Sequence, residues 1–431
     1  MSAVFTAALT FVIFTTPGHA AEPGAGFEVI AYELALSPDL ANKTVSGTET
    51  IRLRIVTPGL RQIVFSGNAL TIDDAMLNGK TVQVSTDRDT LSLALPEGLK
   101  EGSTATLRIV YHGTPRKGAT FTSASIYTSY HTCDWMICAE DTPGDKAKLS
   151  LDLHAPAGMI SLASGKLVGK SRAKDGGEIH HWRTSLPYSA YLYGFAIGKF
   201  VTASSHRNRA ELLYLSDVAT KQELLQTFGE TGAMVQFLSA KAGLGLPNAS
   251  YAQLLVPGNE AQEAATYSII GKDNIGSKDD WAIVHELAHQ WWGNLITCAT
   301  WKDFWLNEGI AVYMTAAWKE HRFGREAYGA ELDVARRRVA KVREEGWDKP
   351  LAFDGKYPSL GVRRAVQYSK GALFMEHLRN VLGDEAFWAG LRAYTRAHAG
   401  GAVTSIDLER AMEKASGRDL SGLFAEWVFG L

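Results

Sequence analysis

A chain of 431 residues is too long for one ordinary hydrophobic core, so two or more domains are expected. With 46% hydrophobic and 21% charged residues it has a globular composition, which excludes a low-complexity or disordered chain. The formal net charge of −2 gives no electrostatic reason to expect nucleic acid or an anionic membrane surface as a partner.

Residues 1–20 (MSAVFTAALTFVIFTTPGHA) read as a secretory signal peptide, with an apolar, threonine-rich core at 3–16 and small residues around Gly18-His19-Ala20. The leading residues lack the usual Lys or Arg. The segment is short for a membrane span, and no other stretch reads as one. The expectation is an exported protein, periplasmic or secreted, without stable membrane insertion. In such a compartment Cys133 and Cys138 are close enough in sequence to pair, or they are two small buried thiols. Cys298 reads as a packing residue.

Residues 27–200 alternate with period two. Tyr32, Leu34 and Leu36 do so, as do Ile51, Leu53 and Ile55, then Leu91, Leu93 and Leu95, then Leu107, Ile109 and Tyr111. Turn signals such as Asn78-Gly79 and Asp175-Gly176-Gly177 separate the runs. A β-sandwich or a large curved sheet follows from this pattern. The adjacent His180 and His181 read as surface residues. After about residue 205 the period lengthens. Residues 220–242 read as an amphipathic helix, 251–256 as a strand, 279–294 as a helix, and a further helix passes through Glu308 to about 322. Residues 365–427 are mostly helical, and Thr404 with Asp407 forms an N-terminal capping pair. The fold class is therefore α+β in two domains. The boundary is placed at 200–208, giving a β domain at 21–204 and an α-rich domain with a small sheet at 205–431.

The chemistry sits in HELAHQWWGNLITCATWKDFWLNEG, residues 285–309. On a helix, His285 and His289 share one face and can grip one metal ion. Glu308, from the next helix, supplies a third donor. Two His, one Glu and an open position are the donor set of a catalytic zinc site, and a single Zn2+ ion is expected. Glu286 is then placed to act as general base on water. The bland alternative is a buried helix with two satisfied histidines. Glu308 argues against it, because a carboxylate in so apolar and aromatic a stretch is costly to bury without a cation. Asp303 is a candidate partner for the outer nitrogen of a ligating His. Trp291, Trp292, Trp301 and Trp305 read as core.

The same residues resemble the aminopeptidase N family of gluzincin metallopeptidases. HELAHQWWGNLIT with WKDFWLNEG is similar to that family's zinc segment, and Gln367-Tyr368-Ser369-Lys370-Gly371 to its tyrosine-x-Lys-Gly motif. Leu186-Pro187-Tyr188-Ser189 through Gly198-Lys199-Phe200 resembles the end of its β domain. Cys138 through Pro143 with Lys146 resembles a further β-domain motif, and Asp419-Leu420 through Trp427 the end of its catalytic domain. The resemblance implies a thermolysin-like catalytic domain and a zinc aminopeptidase that removes N-terminal residues from peptides. It implies that Tyr368 donates a hydrogen bond to the oxyanion, and that Glu263 binds the substrate α-amine. Such an amine has a pKa near ~8 and is largely an ammonium at neutral pH. Glu260 is a rival for that role, and Gln262 suggests a polar wall for the first side chain.

Three departures from the family stand out. Glu260-Ala261-Gln262-Glu263-Ala264 replaces the usual Gly-x-Met-Glu-Asn, with only the Glu kept. Ser129 falls where relatives often carry a Gln or Glu. The sequence ends at Leu431, short of the family's C-terminal helical domain, so a more open site is expected. A zinc endopeptidase on the same scaffold, or a non-catalytic peptide-binding protein, are the alternative expectations.

Overall fold

A computed structural model describes residues 22–207, 210–275 and 281–431; the leader expected at 1–20 lies outside them. The period-two segments of the first unit form sheets. The longest sheet runs, in spatial order, through Lys166–Arg172, Glu178–Arg183, Lys146–Ala155, Phe27–Asp39, Thr44–Ile55, Thr104–Gly113, Thr71–Leu77 and Lys80–Thr81. Ile51, Leu53, Leu107 and Ile109 are fully buried, because alternate side chains of a strand share a face. A register shift between Val29 and Ala31 lets Phe27, Val29, Tyr32, Leu34 and Leu36 all point inward along one strand. Asn78 and Gly79, with φ of 51° and 77°, make the two-residue hairpin turn between Thr71–Leu77 and Lys80–Thr81. A three-stranded and a four-stranded sheet complete this unit.

One surface assignment is corrected. Neighbouring strand residues face opposite sides, so His180 points inward and is 1% exposed, with Nδ1 2.6 Å from Ser161 Oγ and Nε2 2.9 Å from Glu178 Oε2.

The second unit opens on a five-stranded sheet in the order Val201–Arg207, Ala210–Ser216, Ser250–Val256, Tyr267–Gly271, Ala261–Ala264. The expected boundary at 204 falls inside its first strand. Helices pack on one face of this sheet, and its other face joins the core of the β unit through Leu215, Leu254, Val256 and Ile269. The helix expected at 220–242 is two helices, Lys221–Thr227 and Thr231–Ala242. Phe228-Gly229-Glu230 interrupts it, and glycine is a poor helix former. The first of the pair carries a capping box of Thr220 and Glu223, and Thr404 with Asp407 makes another. Among the described residues no helix is long and apolar enough to cross a membrane.

Candidate active site

Three elements carry the metal donors and their neighbours. The helix Trp281–Ala288 presents His285, and His289 follows directly, its N–H still bonded to the His285 carbonyl at 3.3 Å. The expected span to 294 is shortened: the helix ends at Ala288, the tighter bonds Gln290 N–H to Leu287 and Trp291 N–H to Ala288 follow, and Gly293, at φ 125°, then turns the chain away. His289 Nδ1 lies 3.0 Å from the Trp292 carbonyl, which can only accept, so Nδ1 carries the proton and Nε2 offers its lone pair inward. That carbonyl takes the orienting role considered for Asp303. Asp303 instead accepts from Ser405 N and Oγ at 3.1 and 2.6 Å, which ties the start of the glutamate helix to the start of the helix Ser405–Ser416.

Glu308 comes from the helix Trp305–Phe323. Its Oε2 is 3.2 Å from His285 Nε2 and 3.4 Å from His289 Nε2, and the two Nε2 atoms are 3.1 Å apart. A tetrahedral ion with donors at about 2.0–2.2 Å would hold such atoms about 3.3–3.6 Å from one another. The triangle is close to that size. Glu308 Oε2 is buried and makes no hydrogen bond, and nor does His285 Nδ1 or Glu286 Oε2. The donor set and the spacing fit zinc.

Tyr368 reaches the same cavity from a π-helical segment, Arg364–Lys370, a winding often found at functional sites. Its ring lies 6.2 Å from that of His285 at an interplanar angle of 16°. What brings this segment to Glu308 is a glycine pair. A Cβ on Gly371 would sit 2.8 Å from Gly309 Cα, so the two helices cross backbone to backbone just beyond Glu308 and Tyr368. Lys370 anchors the far side, its Nζ 2.7 Å from Asp348 Oδ1 and from the Lys349 carbonyl.

The strand Ala261–Ala264 forms the opposite wall. Its alternation places Glu263 in the cavity, where its carboxylate, that of Glu286 and a nitrogen of His289 lie within 4.8 Å of one another. Gln290 Nε2 and Asn294 Nδ2, both just past the histidine helix, donate to the Ala264 carbonyl at 3.1 and 2.9 Å and fix this strand against the donors. Gln262 and Glu260 do not line the cavity. Gln262 turns to the other side of the strand and accepts from the Tyr130 N–H at 2.5 Å, so the structure does not place it as a wall for the first side chain.

Electrostatics make the same demand as the geometry. Burial pushes the carboxyls of Glu263 and Glu286 upward; His289 acts against this, and the neighbouring carboxylates reinforce it. Burial also pushes Glu308 up, but His289 and His285 more than offset it and hold it well below the usual range. Three buried carboxylates around two imidazoles are stable together when a cation sits among them.

The cavity, about 420 Å3, has walls that sequence reasoning missed: Tyr130 from the β unit, and Arg338 and Arg364 from two helices. Tyr130 and His131 have φ of 48° and 42°, uncommon for residues other than glycine and a mark of functional loops. The Tyr130 hydroxyl donates to the Ala261 carbonyl at 2.6 Å. Ser129, the position compared with the family's Gln or Glu, is buried beside it and does not line the cavity. Cys133 and Cys138 form a disulfide in the same loop, and Cys298 is a buried free thiol.

Residues 29–192 match the Peptidase M1 N-terminal domain and residues 275–427 the Peptidase family M1 domain. The chain is 24% identical over 447 residues to Aminopeptidase 2 of Candida albicans, covering 92% of this chain and 46% of that protein. It is 26% identical over 446 residues to Aminopeptidase N of Lactobacillus helveticus, covering 92% and 50%. The chain thus spans about half the length of the curated relatives it matches. An M1 zinc metallopeptidase from Deinococcus radiodurans has the same fold, with a TM-score of 0.81, 24% identity and coverage of 95% and 96% of the two chains. A mutant of that Deinococcus protein, solved bound to a Tyr-Ser-Ala substrate, superposes with a TM-score of 0.80 at 24% identity, covering 95% and 96%. With matching M1 domains on both units around a donor set suited to zinc, the chain belongs to peptidase family M1.

Proposed function

We propose that this chain is a zinc-dependent aminopeptidase that holds one zinc ion on His285, His289 and Glu308 and hydrolyses the N-terminal bond of peptides. The observation that carries the reading is Glu263, a buried carboxylate beside Glu286 and His289. Zinc bound by these three side chains supplies a Lewis acid for the carbonyl and lowers the pKa of water toward ~7. Glu263 pairs with the substrate ammonium and so sets the first peptide bond over the donors; positioning of this kind supplies several kcal/mol of barrier reduction, on the order of the effective-molarity gains of oriented reactants. Glu286, with a free Oε2, takes a proton from the attacking water and passes it to the leaving nitrogen. Burial, then Glu308 and Glu263, raise Tyr368 well above the usual phenol range, so it keeps its proton and donates to the oxygen that gains charge.

The aminopeptidase names of the relatives and the Tyr-Ser-Ala complex of the Deinococcus enzyme support the same substrate class. The Cys133–Cys138 disulfide supports an exported location, as does the composition of residues 1–20.

The test is hydrolysis of a short peptide series with free and acetylated N-termini, with and without a chelator. Cleavage of the free peptides alone, lost on chelation and restored by zinc, is the expected result. Equal cleavage of blocked peptides at internal bonds would overturn the role of Glu263 and make this an endopeptidase.

A further inference from the structure

The cavity wall carries both signs of charge: Glu263, Glu286 and Glu308 gather at the metal donors, and Arg338 and Arg364 line the same cavity. Both arginines are exposed, and neither has an ion-pair or hydrogen-bond partner among the described residues. Among the described residues the one further carboxylate on this wall, Glu331, is already engaged by Lys319 at 2.5 Å. The neighbouring Arg363 is likewise held, by Gln367 Oε1 at 2.8 Å and over the Phe304 ring at 4.7 Å. Arg364 and Arg338 are left free to meet something that enters.

Its place along the cavity is informative. Arg364 opens the π-helical segment that carries Tyr368 four residues later, close to one turn, so both face the same side. It is near enough to Glu286, Tyr130 and Tyr368 to act on each electrostatically. Glu286 is the group that serves the leaving nitrogen, so this is the side on which the leaving residue lies. A guanidinium there repels an ammonium and attracts a carboxylate, often with two parallel hydrogen bonds.

We infer that Arg364, extended by Arg338, binds a carboxylate on the leaving side of the substrate, and that the preferred substrates are di- and tripeptides with a free C-terminus. This rests on the aminopeptidase reading above. A zwitterionic short peptide has its ammonium at one end and its carboxylate within two or three residues, which matches a cavity whose wall carries both Glu263 and Arg364. An acidic side chain just past the cut bond offers the same chemistry from a second source.

The experiment compares matched di- and tripeptides as free acids and as C-terminal amides, and amidated peptides with Glu or Gln after the cut bond. It uses full-length wild type, Arg364→Gln and Arg338→Gln. A wild-type preference for the acid of about tenfold in KM is expected, falling to about one in Arg364→Gln and to an intermediate value in Arg338→Gln. Each preference is a ratio within one protein, so a general loss of stability does not imitate the result. A preference seen only for Glu over Gln, and not for acid over amide, would replace the short-peptide claim with an acidic-residue preference. A wild-type ratio near one, or a ratio that survives in both variants, would overturn the inference. Failure of wild type to cleave any of the set would instead sink the peptidase reading. The acid-to-amide affinity ratio, measured by calorimetry on zinc-loaded Glu286→Gln protein, then still decides whether the carboxylate site exists.

Discussion

At Glu286 one carboxylate oxygen is buried without a hydrogen bond, 3% of the residue is exposed, and the metal donors stand on either side in the sequence. Glutamine keeps the shape and loses the base. Glu286→Gln is therefore expected to lower kcat by about 10²–10⁴ while KM and zinc content, read by metal analysis, stay close to wild type. A variant that lost its zinc as well would show that Glu286 holds the metal and would remove it as the base. The donors themselves were legible in the sequence because their geometry is local: four residues on a helix fix the His pair, and the third donor follows one loop later. Tyr130, Arg338 and Arg364 were not legible. They reach the cavity from a different domain or a distant helix, and their residue types are common on any surface. Gln262 was misplaced for a similar reason: the strand's register, absent from composition, decides which of two adjacent residues faces inward.

Between elements, the crossing of the glutamate helix and the tyrosine helix sets how far Tyr368 stands from the donors. Gly371→Ala puts a methyl 2.8 Å from Gly309 Cα, and backbone cannot yield as a flexible side chain does. Overpacking of this kind costs about 1–3 kcal/mol, read as a lower Tm, and the parted helices should also reduce kcat. An unchanged Tm would show that the crossing is looser than its spacing implies. The strand Thr44–Ile55 carries a second test, at Glu49, which is fully buried with Oε2 accepting from Ile137 N–H at 2.9 Å and Oε1 unpartnered. Burial pushes its carboxyl up to about 8. The folded protein therefore keeps a proton that the unfolded chain releases near ~4.3, and this contribution to stability is whole below that pH and lost as pH rises toward 8. Wild-type Tm should fall more steeply between pH 5 and 8.5 than that of Glu49→Gln, whose side chain does not titrate; parallel slopes would show that Glu49 is ionised in the fold. Neither the glycine crossing nor the inward glutamate could be foreseen from period-two or helical patterning. Patterns report which face of an element is apolar, not which other element it meets. The single helix expected at 220–242 failed for the opposite reason, since a local break at Phe228-Gly229 interrupts a run whose apolar spacing is otherwise continuous.

The whole molecule is less divisible than a two-domain reading of the sequence implies. The five-stranded sheet turns one face to the helices and the other to the β unit, where Leu215, Leu254, Val256 and Ile269 join the β unit's core. Burying each of these side chains contributes about 1.5–3 kcal/mol. Exposing all four would forfeit about 6–12 kcal/mol, comparable with the ~5–15 kcal/mol total stability of a typical domain. Polar contacts cross the same seam. Lys146 Nζ donates to the Asn294 and Leu295 carbonyls at 3.1 and 2.7 Å, in the segment that follows the histidine helix. Asn307, next to Glu308, donates to the Tyr191 hydroxyl at 3.1 Å, and Trp301 Nε1 donates to the Glu140 carbonyl at 3.1 Å. Every donor and carboxylate of the site nevertheless lies beyond residue 201, so the chemistry alone would call the β unit dispensable. The packing argues otherwise: residues 201–431 expressed alone should lack a sharp thermal transition and zinc-dependent peptidase activity. A cooperative melt with wild-type cleavage from that fragment would show that the β unit only shapes the cavity through Tyr130. Loss of both, with recovery when residues 22–200 are supplied in trans, would show that it holds the catalytic sheet together.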